Sequence, residues 1–478
     1  MANITSTLLT NSVYSNNKNI VSVDLDYVPW QNNSMYSSFA NCTNLTSVSN
    51  INENVTDMGA AFMLCTNLVN ISSIPPNVTD LSYAFEWASS ITSIPTIPNS
   101  VTNVAYGFMD CSNLTTLPSE MPQNITNYAY AFGGCSNLTV APNINAHLAD
   151  NLWVLFQSDT NLQSSNIVIG PNALYIYGMY NGCSNLTHVN LTYSDYNNTT
   201  KTLDVHEMFS NCSKLSSFPK LPPLAQNLYR TFYNCQLLTH FDCPQSALNM
   251  GYAFYNCRNL QQITIPNSVI NIAGAFQNCY QFTTAKIPTA VYGSMANAYY
   301  DCYNVNRIDG NIPETVNNVA GSFYNCKNIS GDIFIHSNLI TNAINCFYNT
   351  TFTKNVYIPF YTSEDTESNL YCWVMNSTNE KIYIKEDFST SSGSPSKIFN
   401  ADGTEYTNYR TVSMSYGSGQ IRTKSPVRTY TITYTPEHDI ITIIPAGSNT
   451  KTHDAFINAG YDTNGTKCGV YLKDINTL

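Results

Sequence analysis

Charge is what this chain has least of. Only 11% of its 478 residues are Asp, Glu, Lys or Arg, and between Lys18 and Lys201 there is no lysine or arginine. Eleven acids fall in that window (Asp24, Asp26, Glu53, Asp57, Asp80, Glu86, Asp110, Glu120, Asp150, Asp159 and Asp195), matching the whole net charge of −11. A cation-free stretch cannot make the phosphate-neutralising contacts that drive nucleic-acid binding. Nor is it drawn to an anionic membrane surface. We therefore expect no nucleic-acid partner. No apolar run of about 18 residues is present, so no membrane insertion is expected. Residues 1–20 lack the basic start and apolar stretch of a secretory signal, and the C-terminal end carries no prenylation box.

Catalytic motifs are missing too. There is no G-x-S-x-G, no H-E-x-x-H, no P-loop, and no G-x-G-x-x-G between a strand and a helix. The run Ser415–Gly419 reads as a loop. Carboxylate pairs such as Asp24 and Asp26 are what any acidic surface offers; a glycosidase needs two that face each other across a groove. The 15 cysteines include no C-x-x-C and no zinc-type Cys–His spacing. The chain is read as a non-enzyme with no cofactor and no metal.

What the sequence does contain is a repeat. Fourteen units of about 23 residues run from residue 35 to 353, registered on Cys42, Cys65, Cys111, Cys135, Cys183, Cys212, Cys235, Cys257, Cys279, Cys302 and Cys326, with Ala88, Asp159 and Thr350 filling the same slot. With the cysteine as position 0, position −3 is Phe or Tyr throughout, from Phe39 to Phe347. Position −4 is usually small (Ala61, Ala84, Gly107) and position −7 apolar (Met35, Met58, Leu81). Positions −7, −4, −3 and 0 match i, i+3, i+4 and i+7, which predicts a short inward-facing helix of about two turns. Asn-Val-Thr-Asp at 54–57 and 77–80, and Val-Thr-Asn at 101–103, supply residues that cap such a helix. Past the cysteine comes Asn-Leu at +2 and +3, an apolar +6, and then Ile-Pro or Leu-Pro. That reads as one short strand per unit, ended by proline at a corner. A unit of this size cannot bury its apolar face alone, so the units stack as a solenoid. Thirteen steps of roughly 4.8 Å would span about 60 Å.

The pattern Leu-Thr-x-Ile-Pro…Val-Thr-Asn…Ala-Phe-x-x-Cys-x-Asn-Leu resembles the BspA-type leucine-rich repeat over about two thirds of the chain. The resemblance implies an α/β solenoid of about 14 turns, each a short helix plus a short strand. That family occurs on bacterial and protist surfaces and in phage virions, so it also implies adhesion or recognition, with no catalytic residues to carry over.

Identical positions one coil apart hold their side chains parallel, a poor geometry for disulfides, so the column cysteines are expected as buried free thiols. Cys243, Cys346, Cys372 and Cys468 lie off the column. The +2 asparagines are expected to point inward and bond the turn backbones. Their many Asn-x-Thr/Ser matches are by-products of the repeat rather than glycosylation sites. The 34 tyrosines could build a hydrogen-bonding recognition surface or serve in packing.

The expected organisation is an N-terminal cap at 1–34, the solenoid at 35–353, a degenerate repeat or C-terminal cap at 354–388, and a small β-rich module at 389–478. Two similar segments fall in the last part, 356–386 and 441–474, each read as strand, short helix (369–375; 453–459) and strand. The functional expectation is a phage virion appendage, assembled in the host cytoplasm, that adheres to a bacterial surface glycan or protein. A cell-surface adhesin of a bacterium or protist, and a structural virion component without a receptor, are the alternatives. Other virion proteins are expected partners, with the chain oligomeric or docked to an oligomeric base. The candidate ligand-binding residues lie at +4 and +5 of the strand: Thr115, Thr116, His188, His240 and Arg307.

Overall fold

The computed structural model describes residues 9, 11–27, 32–194, 202–217 and 220–326, isolated positions from 329 to 350, and beyond that the backbone of strands up to 472. The chain forms two compact units, Met1–Ala247 and Leu248–Leu478.

In each unit the chain winds through successive coils, and the coil that ends at Cys65 illustrates the path. Asp57 opens it: its Oδ1 accepts the Gly59 N–H at 2.8 Å, an Asx turn. Ala61 N–H then bonds the Met58 carbonyl (3.0 Å), and Cys65 N–H bonds the Phe62 carbonyl (3.1 Å). These are two consecutive β-turns whose third residues, Ala60 and Leu64, have φ of 51° and 61°. The N–H groups between them leave the coil altogether. Met58, Ala60, Phe62 and Leu64 donate to Asp80, Ser82, Ala84 and Glu86 of the next coil at 2.7–2.9 Å.

The expected short helix is therefore absent, and among the described residues the helical element is the 3-10 turn Leu25–Tyr27. An α-helix sends every N–H to the carbonyl four residues back. Here alternate N–H groups go to the neighbouring coil, and the left-handed residues at −5 and −1 break the helical path. The inward stripe was nonetheless placed correctly, because two linked turns also bring −7, −4, −3 and 0 to one side. Met35, Ser38, Phe39 and Cys42 are all fully buried. The expected helix caps act as Asx turns instead, with Asp80 and Asn103 accepting from the N–H groups of Ser82 and Ala105. Gly107 shows why −4 is small: a Cβ there would meet the Val104 and Leu81 carbonyl oxygens at 2.8 and 2.9 Å.

The strand segments of the coils are short and pair in parallel. In the first unit Ser22–Asp24, Ser47–Ser49 and Asn70–Ile71 form one sheet, and the longer Val140–Ala146, Ser164–Ile169 and His188–Tyr193 form another. In the second unit Thr284–Lys286 pairs with Arg307–Asp309, and Gly293–Ser294 with Val316–Asn318. The repeat also reaches into the expected N-terminal cap. Ser12 and Asn16 are left-handed, and Ser12, Tyr14 and Asn16 donate to the coil that carries Phe39. Towards the C-terminal end, Val356–Pro359, Lys381–Lys385, Ile440–Pro445 and Gly469–Leu472 lie in one seven-stranded sheet of the second unit. The two helices expected at 369–375 and 453–459 lie outside the described residues.

Two columns fill the core. The −3 rings stack from Tyr14 through Phe39, Phe62, Phe85, Phe108, Phe132, Phe156, Tyr180, Phe209 and Phe232, with centroids 5.3–5.9 Å apart. Each such pair contributes about 0.5–1.5 kcal/mol beyond the area it buries. Where the ring is Tyr180, its hydroxyl meets Ser165 Oγ at 2.8 Å. The described cysteines are free and buried, and the column thiols have a partner. Cys65 Sγ donates to the Phe39 carbonyl of the preceding coil (3.0 Å); Cys111, Cys135, Cys183, Cys212 and Cys235 repeat the contact at 3.0–3.2 Å. In the second unit Thr350 donates its hydroxyl to Phe323 in the same way. The +2 asparagines, expected inside, point out: Asn44, Asn67, Asn113 and Asn137 are exposed. They occupy the middle of the turn closed by Leu45 N–H on Cys42, whose ends, not its centre, face the core.

Asp159 is the exception in the cysteine column. It is fully buried and neither carboxyl oxygen has a hydrogen-bond partner. Burial pushes its pKa well above the ordinary carboxylate range. The nearby amides of Cys135 and Gly134 offset this only partly, since they already donate to Phe132 and Gln157.

Two measurements test this core. Burial raises the thiol pKa values, that of Cys65 to about 12, so a thiol reagent at neutral pH should label the column cysteines only after denaturation. Rapid labelling of native protein would contradict the ladder. For Asp159, the folded pKa lies above the unfolded one, so folding takes up a proton; stability is greatest below the unfolded value near 4 and falls as pH rises toward the folded one. Asp159→Cys should therefore raise the melting temperature at pH 7 by several degrees and much less at pH 4; a gain independent of pH would refute a buried neutral acid.

Candidate binding surface

Past each cysteine the chain leaves the turn and enters the strand segment. Positions +3 and +6 face the core, as with Leu45 and Val48, Leu186 and Val189, or Leu238 and Phe241, and +4 and +5 between them lie outside. All five sequence-predicted residues, Thr115, Thr116, His188, His240 and Arg307, are exposed there. Thr115 is held by its neighbour: both its N–H and its Oγ1 donate to the Thr92 carbonyl, at 3.0 and 3.2 Å. His188 opens its strand opposite Ser164, and the His240 ring lies 3.2 Å from Thr239 Oγ1. Arg307 pairs in register with Thr284. These residues do not form one cluster. Thr115 and Thr116 sit three coils from His188, His240 two coils further, and Arg307 in the other unit.

Carboxamides lie beside two of them, His188 and Arg307. Two residues beyond His188, on the same side of the strand, Asn190 donates to Asn166 (2.8 Å), which donates to Asn143 (3.0 Å). In the second unit an open groove is lined by Gln261, Gln262, Gln281, Thr283, Asn304 and Asn306, next to Arg307. These six come from three successive coils at +2, +4 and +5. Asn304 donates to Gln281 Oε1 at 3.3 Å, and the Asn306 N–H bonds the Thr283 carbonyl at 3.0 Å. The lining carries no formal charge. Each carboxamide that bonds its neighbour keeps donors and an acceptor for a ligand.

Among the described residues no group of three or more His, Cys, Asp or Glu side chains could hold a metal ion. No described helix is long and apolar enough to cross a membrane.

The BspA type leucine-rich repeat region matches in six overlapping copies, at residues 3–115, 32–151, 106–227, 155–251, 176–306 and 250–373. The chain belongs to this family. No curated protein matches it. Among solved structures it is similar to a leucine-rich repeat protein from Bacteroides ovatus at 18% identity, over 62% of this chain and 85% of that one, with a TM-score of 0.33. It is also similar to a leucine-rich cell surface protein from Faecalibacterium prausnitzii at 19% identity, over 73% and 83% of the two chains, with a TM-score of 0.31. The T. pallidum leucine-rich repeat protein aligns at 16% identity over 41% of this chain and 78% of its own, with a TM-score of 0.26.

In this BspA-type chain the sequence pointed to the outward positions +4 and +5 but not to the groove. Gln261, Gln262 and Asn306 occupy those same positions. Comparing the columns coil by coil, instead of picking imidazole and guanidinium groups, is the signal that would have found them.

Proposed function

We propose that this BspA-type chain is a non-enzymatic recognition protein that binds a hydroxyl-rich ligand, a bacterial surface glycan foremost, on the outward side of its strand segments. The observation that carries this is the groove of five carboxamides and one hydroxyl in the second unit. A sugar presents paired donors and acceptors without charge, and carboxamides match both from one side chain. Water completes such contacts where the fit is open. The Asn143–Asn166–Asn190 ladder offers the same chemistry in the first unit.

The carrier we propose is a phage virion appendage that meets a bacterial surface glycan or protein; a cell-surface adhesin would use the same face. An open polar groove binds weakly at a single site. Several copies on an oligomeric base, together with other virion proteins, would supply the missing affinity through avidity.

Labelled full-length protein should stain particular bacterial strains, and glycan stripping should abolish the staining. Gln281→Ala with Asn304→Ala should weaken binding about tenfold, the loss expected for two hydrogen bonds, without lowering the melting temperature. His188→Ala with His240→Ala tests the first-unit face in the same way. Staining that survives both stripping and the groove substitutions would refute the glycan reading.

A further inference from the structure

The first unit carries a second outward feature, independent of the strand face. Tyr83, Tyr106 and Tyr130, at −5 of successive coils, stack with centroids 4.7 and 5.1 Å apart and planes within 14°. The line continues through Trp153, Tyr177 and His206 at −6, with spacings of 5.2, 5.5 and 4.4 Å. None of these rings is needed in the core, which the −3 stack fills. Tyr83 is 40% exposed at the end of the row. Tyr106 alone among the described rings stacks on it, because the preceding coil presents Gly59 and Ala60 at the corresponding positions.

Two carboxylates border these tyrosines. Asp110 lies so close over Gly134 of the next coil that no Cβ fits there. Glu86 lies within electrostatic reach of Asp110 and of Tyr106, whose phenol pKa is raised first by burial, then by Tyr83, Tyr130 and Glu86. Burial, then the Asp110 charge, raises the Glu86 pKa; burial raises that of Asp110. Neither acid has a cationic partner among the described residues.

Further along, the same row shows what such a setting holds. The His206 ring lies on Tyr177, with Nδ1 2.8 Å from Asp204 Oδ1. The Arg230 guanidinium lies over Tyr229 and Tyr233, at 5.1 and 5.6 Å, and 3.6 Å from Glu207. Ring, carboxylate and basic side chain thus occur together twice. At Tyr83–Tyr130 the rings and carboxylates are present, but the sequence has no lysine or arginine between 18 and 201 to complete them.

We infer that Tyr83, Tyr106 and Tyr130, with Glu86 and Asp110, form a docking surface for an arginine- or lysine-bearing segment of a partner protein. One side chain of that segment covers the open face of Tyr83, a cation–π contact. The next lies along the phenol edges against Glu86 and Asp110. A surface three coils long suits an extended segment better than a lone small cation.

The test is calorimetric titration of the full-length protein with a short oligoarginine peptide, against oligoglutamate and a neutral polysaccharide. Wild type should bind oligoarginine, and increasing salt should weaken the binding. Glu86→Gln with Asp110→Asn should cost about fivefold or more, and Tyr83→Ala about threefold. The paired substitution removes two charges that burial disfavours, and Asn tolerates the left-handed backbone at 110 (φ 56°), so the melting temperature should hold or rise. Unchanged oligoarginine affinity in the paired variant, or equal binding of oligoglutamate, overturns the inference. So does loss of polysaccharide binding in this variant in place of peptide binding. Groove substitutions should leave peptide binding intact, so this inference and the glycan reading can fail separately.

Discussion

Within each unit, alternate backbone N–H groups in the turn region of a coil are committed to the next coil, as at Met58, Ala60, Phe62 and Leu64. That commitment requires a left-handed residue at −5 and again at −1: Ala60 and Leu64 in one coil, Glu207 and Asn211 in another. Left-handed backbone costs an ordinary L-residue roughly 1–2 kcal/mol, and a β-branched side chain more. Val154, with φ of 49°, accepts that cost. What offsets it is a complete set of inter-coil hydrogen bonds under a fully buried face. Once this path is fixed, every column becomes a ladder, because each coil repeats the same directions. The core ladders, the exposed asparagine ladders and the tyrosine row all follow from it.

The cysteine ladder follows as well. The −3 carbonyl already accepts the N–H of position 0 in its own coil, and its second lone pair faces the next coil. A thiol fits that place: it is small enough for the core and is a weak donor toward the carbonyl. Thr350 keeps the donor and Ala88 keeps the volume without it. Asp159 keeps a donor only while protonated. Hydrogen bonding and size together account for the residues found in this column.

The period, the inward positions and the thiol ladder could be read from the residues, because burial leaves its mark on residue type. The conformation of the turn segment could not be read from the apolar pattern, since −7, −4, −3 and 0 describe a helix face and a pair of linked turns equally well. The deciding information lies in the polar column at −1. Asn41, Asp110, Gly134, Gly182, Asn211, Asn234 and Asn256 are the residue types that tolerate positive φ. The outward asparagines at +2 misled for a related reason: an amide can satisfy backbone from inside or solvent from outside, and its identity does not say which. Single residues at +4 and +5 likewise revealed an exposed face but not a groove, which exists only where three adjacent coils carry amides together.

A surface built of ladders distributes recognition chemistry by column and by coil. The groove in the second unit is lined by uncharged side chains, so a ligand bound there as proposed would be selected by hydrogen-bond geometry and by shape. The stacked rings at −5 in the first unit stand near two acids, Glu86 at −2 and Asp110 at −1, that have no cationic partner among the described residues; attraction there is electrostatic and screened over about 8 Å at physiological ionic strength. The absence of lysine and arginine across residues 19–200 bears on the second of these surfaces. It leaves Glu86 and Asp110 without a cationic partner among the described residues. The scarcity of charge thus decides what each of these surfaces can attract, besides suiting the repeat.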